Sequence, residues 1–294
     1  MGDKPTVALL GTGIMGAGMA RNLLAAGLPT RVWNRSPEKA LALAEVGAEV
    51  ADSPRAAVNG VDVIVTMLRD GDTVEAVMTE AAPGLHAGQL WAQTTTVGVE
   101  PVARLAKLAA THGLVLVDAP VLGTRQPAEQ GQLVIFAAGP SSAKTSLAAV
   151  FDAVGRRTIW LAEDPAGAAA SRLKLVVNSW VLAITGATAE AVALAKGLDA
   201  DPRAFLDAVE GGSLDLPYLR VKSAAILEKN WEPTFSVSNA AKDADLIVAA
   251  GRANGVRLDI AEAMGARLHR AERLGHGEQD MAANYFASFG SEAG

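Results

Sequence analysis

Residues 7–16, Val-Ala-Leu-Leu-Gly-Thr-Gly-Ile-Met-Gly, decide the fold of this chain. The first four are apolar and predict a buried strand, and the residues after them have helical apolar spacing. A lone Gly-x-Gly-x-x-Gly is a weak motif, but here it lies in the required strand, turn and helix context. Gly11 permits the tight turn, Gly13 lets a pyrophosphate approach backbone N–H groups, and Gly16 allows close helix packing. The predicted dinucleotide site comprises Gly11, Thr12, Gly13, Ile14, Met15 and Gly16.

Short β-branched apolar runs alternate with amphipathic segments up to about Leu161. This alternation predicts an α/β domain of the Rossmann type, a doubly wound parallel sheet flanked by helices. The predicted strands are residues 7–10, 30–33, 61–67, 90–93, 114–118, 133–138 and 158–161, and the predicted helices are 15–26, 37–46, 72–80, 99–112 and 141–150. Beyond residues 162–167 no convincing strand follows, so we expect a nucleotide-binding domain at 1–163 and an all-α domain at 164–294.

The composition excludes several classes of function. The 294 residues are 50% hydrophobic, 20% charged and 4% aromatic, which predicts a folded aliphatic core. A formal charge of −6 without any basic run makes nucleic acid a poor partner. The absence of cysteine excludes disulfides, thiolate zinc sites and cysteine nucleophiles. The four histidines lack metal-ligand spacing, so no metal site is predicted.

The hydropathy pattern predicts a cytoplasmic protein without membrane contact. Residues 1–5 are too few and too polar for a secretory signal. The most apolar stretch, residues 175–189, is interrupted by Asn178, Ser179 and Thr185 and is shorter than the ~20 residues that span a bilayer. It predicts a buried helix of a soluble protein. The long helix around it, about residues 167–196, has so few charges that other helices or a second subunit must cover it, which indicates an oligomer.

The end of the second predicted strand indicates which dinucleotide is bound. An NAD-selective site has an acid here for the ribose hydroxyls, but this chain has Asn34, Arg35 and Ser36. The Arg35 fork can pair with a 2′-phosphate and Ser36 can add a hydrogen bond, so NADPH is favoured over NADH. The alternative is a solvated arginine at a helix start with Ser36 as N-cap.

Lys174 lies on the long helix among apolar residues, and Asn178 is four residues further on the same face. A buried lysine costs free energy, so it is paired or acts as a proton donor or acceptor. Asn178 can orient both an ammonium and a substrate oxygen. The alternative is a lysine whose stem packs on the helix while its ammonium reaches water.

Polar segments follow two predicted strands where open α/β sheets bind ligands. One contains Thr94, Thr95 and Thr96, and the other runs from Asp118 to Thr124. Gly123 and Thr124 could present a backbone N–H and a hydroxyl to a substrate carboxylate. The alternative is a pair of ordinary polar loops.

Together these motifs resemble the β-hydroxyacid dehydrogenase family, also called 3-hydroxyisobutyrate dehydrogenase-like, over almost the whole chain. Its marks are Gly11 to Gly16, Asn34-Arg35-Ser36, Met67-Leu68, Thr95-Thr96-Val97, Asp118-Ala119-Pro120-Val121, Lys174 with Asn178, Trp231 to Phe235, and Lys242-Asp243. The resemblance implies hydride transfer between nicotinamide and a carbonyl or alcohol carbon, and a helical domain that dimerises through the long helix. It implies that Lys174 is catalytic, that Met67, Leu68 and Thr96 line the cofactor, and that Lys242 reaches cofactor or substrate.

Within the family, Pro127-Ala128-Glu129, Gly131-Gln132-Leu133 and Ala137-Ala138-Gly139 are most similar to the glyoxylate and succinic semialdehyde reductase branch. Several positions depart from the family pattern. Leu122 replaces a substrate-binding serine, Thr124 replaces a glycine, Ala168 and Ala170 replace glycines before Lys174, and Arg69 replaces a common proline. The lost hydroxyl at Leu122 makes a bulkier or less polar carbonyl compound plausible. Trp231 is a candidate wall of the substrate site.

The sequence therefore predicts an NADP(H)-dependent reductase of a small aldehyde acid or β-hydroxyacid. Lys174 would give a proton to the developing alkoxide, with Asn178 positioning it, and Thr96, Leu122, Gly123, Thr124 and Trp231 would surround the substrate. Its expected partners are that small molecule and further copies of the chain, as a homodimer or tetramer. One alternative is an imine reductase, where the resemblance implies Asp or Tyr in place of Lys174. The other is a non-catalytic NADPH-binding sensor or scaffold, which Leu122 motivates.

Overall fold

The computed structural model describes residues 4–290. The chain divides into two compact units, one ending at Lys174 and the other beginning at Leu175. This division falls inside a continuous helix, Ala169–Gly197. The boundary between residues 163 and 164 that the sequence suggests stays a prediction.

The described part of the first unit forms one nine-stranded sheet. Its strands are β1 Val7–Leu10, β2 Thr30–Trp33, β3 Glu49–Val50, β4 Val63–Thr66, β5 Leu90–Gln93, β6 Val115–Asp118, β7 Val121–Leu122, β8 Leu133–Ala138 and β9 Gly155–Ala162. They lie in the order β3-β2-β1-β4-β5-β6-β8-β7, and β9 also pairs with β8. The strand order reverses at β1, which has β2 on one side and β4 on the other. Ligands of open α/β sheets bind at the carboxyl ends of the strands at such a point.

Helices cover both faces of this sheet. They are α1 Ile14–Ala25, α2 Pro37–Leu41, α3 Pro54–Val58, α4 Gly71–Ala81, α5 Val99–Thr111, α6 Arg125–Glu129 and α7 Ser141–Val154, with 3-10 turns at Ala44–Val46, Ala82–Gly84 and Pro165–Gly167. Side chains alternate along a strand, so Val7 and Leu9 enter one hydrophobic cluster while Ala8 and Leu10 enter the other. Because both faces of β1 are buried, its sequence is a continuous apolar run.

The predicted Rossmann-type domain is confirmed, with one difference at the edge of the sheet. There β8 runs antiparallel to β6 and to β7, whereas the sequence predicted parallel strands throughout. The missed strands β3 and β7 have two residues each, which is too short for a periodic pattern. The predicted helix 37–46 ends early at Leu41 and continues as a separate 3-10 turn.

The second unit is helical, as predicted. After α8 (Ala169–Gly197) it contains α9 Pro202–Val209, α10 Pro217–Leu227, α11 Val237–Ala253 and α12 Asp259–Ala271, a π-helix at Glu272–His276 and a 3-10 helix at Met281–Ser288. Among its described residues, the β-structure is an isolated bridge between Ser236 and Asp280.

In the single chain one face of α8 is left uncovered, whereas the sequence predicts a buried helix at 175–189 that other helices or a second subunit must cover. Seven apolar residues, spaced alternately by four and three, are exposed or half-buried; we call them the apolar seam, and they are Leu173, Val177, Trp180, Ile184, Ala187, Ala191 and Leu194. Trp180 is 64% exposed and Leu194 62%. Residues 165–197 are also long and apolar enough to cross a membrane, a property that core helices of soluble proteins share.

Candidate active site

In the glycine loop after β1, a side chain would clash at two of the glycines and would have room at the third. Gly11 has a φ of +103°, and a Cβ there would collide with the carbonyl oxygen of Met67. A Cβ on Gly16 would collide with the carbonyl oxygen of Gly11. A Cβ on Gly13 would meet no atom within 4 Å. Gly11 and Gly16 are therefore required by packing, while Gly13 keeps space open beside the loop.

The polar groups of this loop fit a phosphate ligand. The Thr12 hydroxyl oxygen is buried and has no hydrogen-bond partner among residues 4–290. Gly13 precedes α1 without a side-chain cap, and the first turn of α1 has no acidic residue. The unpaired N–H groups and the dipole of a helix start favour an anion. Ile14 is exposed and Met15 packs against the core, so these two side chains contribute no polar group.

Asn34 joins the glycine loop to the end of β2. Its Oδ1 accepts a hydrogen bond of 3.0 Å from the Thr12 N–H, and its Nδ2 donates one of 3.0 Å to the Ser36 carbonyl oxygen. The Arg35 side chain is exposed. Ser36 precedes α2, but its hydroxyl makes no capping hydrogen bond. The Arg35 and Ser36 side chains are therefore available for a ligand beside the loop.

The residues after β4 and β5 border the same loop. The Leu68 N–H donates to the Thr95 hydroxyl oxygen at 2.8 Å. The Leu68 side chain reaches within 2.9 Å of where a Gly11 Cβ would lie. The structure thus brings Met67 and Leu68 to the glycine loop, and their role in lining the cofactor stays a prediction. Thr96 follows β5 and is half-buried.

The predicted substrate loop follows β7. Leu122 pairs with Val134 of β8, and its side chain is half-buried. Gly123 has a φ of +144°, where a Cβ would lie 2.6 Å from Leu133 Cδ2, so other residues are excluded there. Thr124 precedes α6 without a capping hydrogen bond, which leaves its hydroxyl uncommitted to the helix.

Lys174 is buried on α8, with a relative exposure of 6%. One turn earlier, Ser171 contacts a carboxylate that the sequence reasoning did not assign a role. Asp118, the last residue of β6, accepts 2.9 Å and 3.0 Å hydrogen bonds from the Ser171 N–H and hydroxyl. Burial raises the pKa of Asp118 to about 7, although hydrogen bonds from Ser171 and Gln93 lower it. The sequence feature that could have identified Asp118 is an acidic residue at the end of an apolar strand.

In the second unit, Asp243 connects two of the predicted residues. Asn178 Nδ2 donates to Asp243 Oδ2 at 2.6 Å, and both side chains are buried. Lys242 Nζ lies 2.7 Å from Asp243 Oδ1 as an ion pair. The sequence predicted Asn178 and Lys242 and missed Asp243 as the residue between them. Trp231 packs on Phe286, with ring centroids 4.9 Å apart.

Known proteins identify the class and the family. Residues 6–162 match the NAD-binding domain of 6-phosphogluconate dehydrogenase, and residues 168–286 match the NAD-binding family of NADP-dependent 3-hydroxyisobutyrate dehydrogenase. These matches define an oxidoreductase that uses a nicotinamide dinucleotide and acts on CH–OH groups. More narrowly, the chain belongs to the β-hydroxyacid dehydrogenase family.

The chain is also similar to three individual proteins. Glyoxylate/succinic semialdehyde reductase 1 of Arabidopsis thaliana is 31% identical, over 94% of this chain and 96% of the relative. A 3-hydroxyisobutyrate dehydrogenase structure from Salmonella typhimurium has a TM-score of 0.88 at 26% identity, covering 96% of this chain and 99% of that one. A reductive aminase from Aspergillus terreus in complex with NADPH has a TM-score of 0.64 at 25% identity, covering 96% of this chain and 98% of that one.

Proposed function

We propose that this protein is an NADP(H)-dependent reductase of small aldehyde acids, with the corresponding hydroxyacids as products. The observation that carries the proposal is Lys174, a buried lysine one turn after Ser171, whose N–H and hydroxyl bind Asp118 at the carboxyl end of β6. The name of the Arabidopsis thaliana relative supports glyoxylate and succinic semialdehyde as the first substrates to test.

The residues of the first unit fit a nicotinamide dinucleotide. Gly13, the Thr12 hydroxyl and the start of α1 would hold the pyrophosphate, because they offer open space, an unpartnered hydroxyl and N–H donors. Arg35 and Ser36 would hold the 2′-phosphate, which favours NADP over NAD. Met67, Leu68 and Thr96 would line the nicotinamide side. When bound, the cofactor supplies a hydride.

The chain itself supplies the proton and the orientation. Lys174 donates a proton to the carbonyl oxygen as it becomes an alkoxide, which is general acid catalysis. Asn178, held by Asp243, is placed to orient a polar group along the same helix face. Gly123 and Thr124 offer an N–H and a hydroxyl for the substrate carboxylate, and Leu122 offers an apolar contact where a hydroxyl would bind more tightly.

The experiment is a panel of aldehyde acids and cyclic imines, each with NADPH and with NADH, followed by loss of the reduced nicotinamide absorbance. We expect turnover of glyoxylate or succinic semialdehyde, faster with NADPH. Turnover of imines alone would assign an imine reductase. A flat trace with every compound, with NADPH still bound, would assign a sensor or scaffold.

Lys174→Ala tests the role of the ammonium. We expect turnover to fall by about 100-fold or more while NADPH affinity is kept, because the proton donor is lost and the glycine loop is unchanged. Lys196→Ala is the matched control, since Lys196 is an exposed lysine on the same helix. Near-normal turnover of Lys174→Ala would remove this lysine from the mechanism.

The exposed apolar seam supports a homodimer in which α8 of one chain packs on α8 of another. Apolar residues that alternate by four and three along a helix match the contact pattern of paired helices. Large exposed apolar surfaces on a soluble protein mark interaction sites. A homodimer is thus the proposed assembly, and two such dimers would form a tetramer.

A further inference from the structure

The buried carboxylate of Asp118 is not used by the proposed reaction. It ends β6 and is 1% exposed. The groups that face it are Ser171 from α8 and the Gln93 amide from β5, neither of which is charged. Of the other neighbouring elements, β8 pairs Ala138 with it and the 3-10 turn Pro165–Gly167 has no titratable side chain. The helix α5 also packs on β6, but its charged residues are exposed or half-buried, and none contributes a charge interaction to Asp118; they are Glu100, Arg104 and Lys107. An uncompensated carboxylate at this depth is costly, so its hydrogen bonds must hold it.

Both oxygens of Asp118 bind the first turn of α8. Ser171 is the third residue of that helix, so its N–H belongs to the turn that has no partner inside the helix. The Asp118 carboxylate accepts this N–H at 2.9 Å and the Ser171 hydroxyl at 3.0 Å. The partners are 53 residues apart in sequence. The strand end therefore caps the helix from outside and fixes its first turn against the sheet.

The same turn of α8 leads directly to the proposed proton donor. Lys174 comes three residues after Ser171, and Asn178 comes seven residues after Ser171, so the three side chains share one helix face. All three are buried, at 2%, 6% and 5% exposure. The other charged side chain of this turn, Arg172, is exposed. A shift of the first turn would therefore move Lys174 relative to the rest of its unit.

We infer that Asp118 is a positioning residue for Lys174: through the two polar groups of Ser171 it fixes the helix turn that carries the ammonium. The inference rests on the proposed function, in which Lys174 is the proton donor. Protonation of Asp118 removes the negative charge that strengthens both hydrogen bonds from Ser171, so it weakens this anchor of the helix turn.

This anchor has a distinctive pH dependence. With its pKa near 7, the carboxylate is ionised above that pH, so kcat falls as the pH drops below about 7. The free energy of unfolding changes with pH in the opposite direction to kcat. The folded chain binds this proton more tightly than the unfolded chain, whose Asp118 has a pKa of 3.8, so stability rises as the pH falls from about 7 to about 4. A residue with only a structural role would show the rise in stability at lower pH without the fall in kcat.

The main test compares Asp118→Ala, Asp118→Asn and Ser171→Ala. Asp118→Ala should lower kcat by about 10-fold to 100-fold with little change in KM or in NADPH affinity, because a small displacement of a catalytic group is costly. Asp118→Asn, which can accept the N–H but carries no charge, should keep kcat near its low-pH value at every pH, so its profile should lack the fall near pH 7. Ser171→Ala should move that fall to higher pH, because a hydrogen bond to the ionised form is lost.

A second readout does not depend on turnover. We expect Asp118→Ala to raise the rate at which an amine-acylating reagent labels Lys174 in the cofactor-free protein, by about 10-fold relative to Lys196, with a smaller rise for Asp118→Asn. Asp201→Asn, which removes the charge from the carboxylate that caps α9, is the control and should change neither readout. If Asp118→Ala fails to fold, the pH profiles of Asp118→Asn and Ser171→Ala still test the positioning role of Asp118.

The outcomes separate the two proposals. Unchanged kcat in a folded Asp118→Ala protein, or a pH profile that is the same in all variants, would overturn the positioning role while leaving the reductase in place. Absence of turnover in the unaltered protein would overturn the reductase. In that case unchanged Lys174 labelling in Asp118→Ala would also overturn the anchor, and faster labelling would support it.

Discussion

Gly13 and Gly16 differ in what a methyl group would meet. Gly16→Ala places its Cβ against the Gly11 carbonyl, and we expect it to destabilise the fold by ~1–3 kcal/mol, the usual cost of overpacking. Gly13→Ala has open space and an ordinary φ of −70°, so its free energy of unfolding should stay within ~0.5 kcal/mol. It should nevertheless weaken NADPH binding by about 10-fold or more, because the methyl group occupies the space proposed for the pyrophosphate. Urea unfolding and NADPH fluorescence titration check both variants, and tight binding by Gly13→Ala would contradict the placement.

Ala168 shows how much a residue pattern says without coordinates. The resemblance implies a glycine at this position in the family. From the sequence alone, Ala168 is therefore only a residue that differs from the family pattern. In the structure Ala168 is buried and has a φ of +55°, a left-handed conformation that costs alanine ~1–2 kcal/mol. It ends the 3-10 turn directly before α8, so the family glycine corresponds to a real backbone requirement. This chain meets that requirement at some cost, and its methyl group packs in the core.

At the scale of elements, Lys222 and Asp280 connect α10 to the 3-10 helix at Met281–Ser288. Their atoms are 2.7 Å apart at 2% and 3% side-chain exposure. Asp280 also accepts from the Thr234 N–H at 3.0 Å and the Ala282 N–H at 2.9 Å. Burial alone would raise the pKa of Asp280, but the Lys222 charge and these hydrogen bonds lower it. The pair therefore stabilises the fold above the unfolded pKa of 3.8, and that contribution is lost as the pH falls through the lower folded value.

Lys222→Met should destabilise the protein by ~3–5 kcal/mol at neutral pH, because it leaves a buried carboxylate without its cation. Adding Asp280→Asn to this variant should recover part of the loss, which chemical unfolding of the single and double variants measures. A loss under ~1 kcal/mol for the single variant would mean that Asp280 reaches water.

At the scale of the whole molecule, the apolar seam predicts the assembly. Leu194→Glu should convert the proposed homodimer to single chains, because pairing would bury two carboxylates without partners. Leu41→Glu is the matched control, since Leu41 is 57% exposed on α2 and lies outside the seam. Sedimentation velocity distinguishes one chain from two. A dimer that persists in Leu194→Glu would move the interface to another surface.

Local patterns predicted seven of the nine described strands and the glycine loop, because strand, turn and helix signals are contiguous along the chain. They predicted Lys174 and Asn178, because a charge among apolar residues is visible without coordinates. They did not predict the Asp118–Ser171 contact, whose partners are 53 residues apart, or the Asn178–Asp243 contact, whose partners are 65 apart. They also missed that β8 runs antiparallel to β6 and β7, since the direction of a strand in a sheet depends on the path of the connection before it. Long-range pairing was the missing information.

The exposed indole of Trp180 has an optical consequence. In a single chain this ring is in contact with water, whereas Trp91 is fully buried and unaffected by assembly. Packing of a second chain on the seam would transfer the Trp180 ring to apolar surroundings and shift its emission to shorter wavelengths. The tryptophan spectrum of a dilution series would then report how tightly the chains pair, without any label.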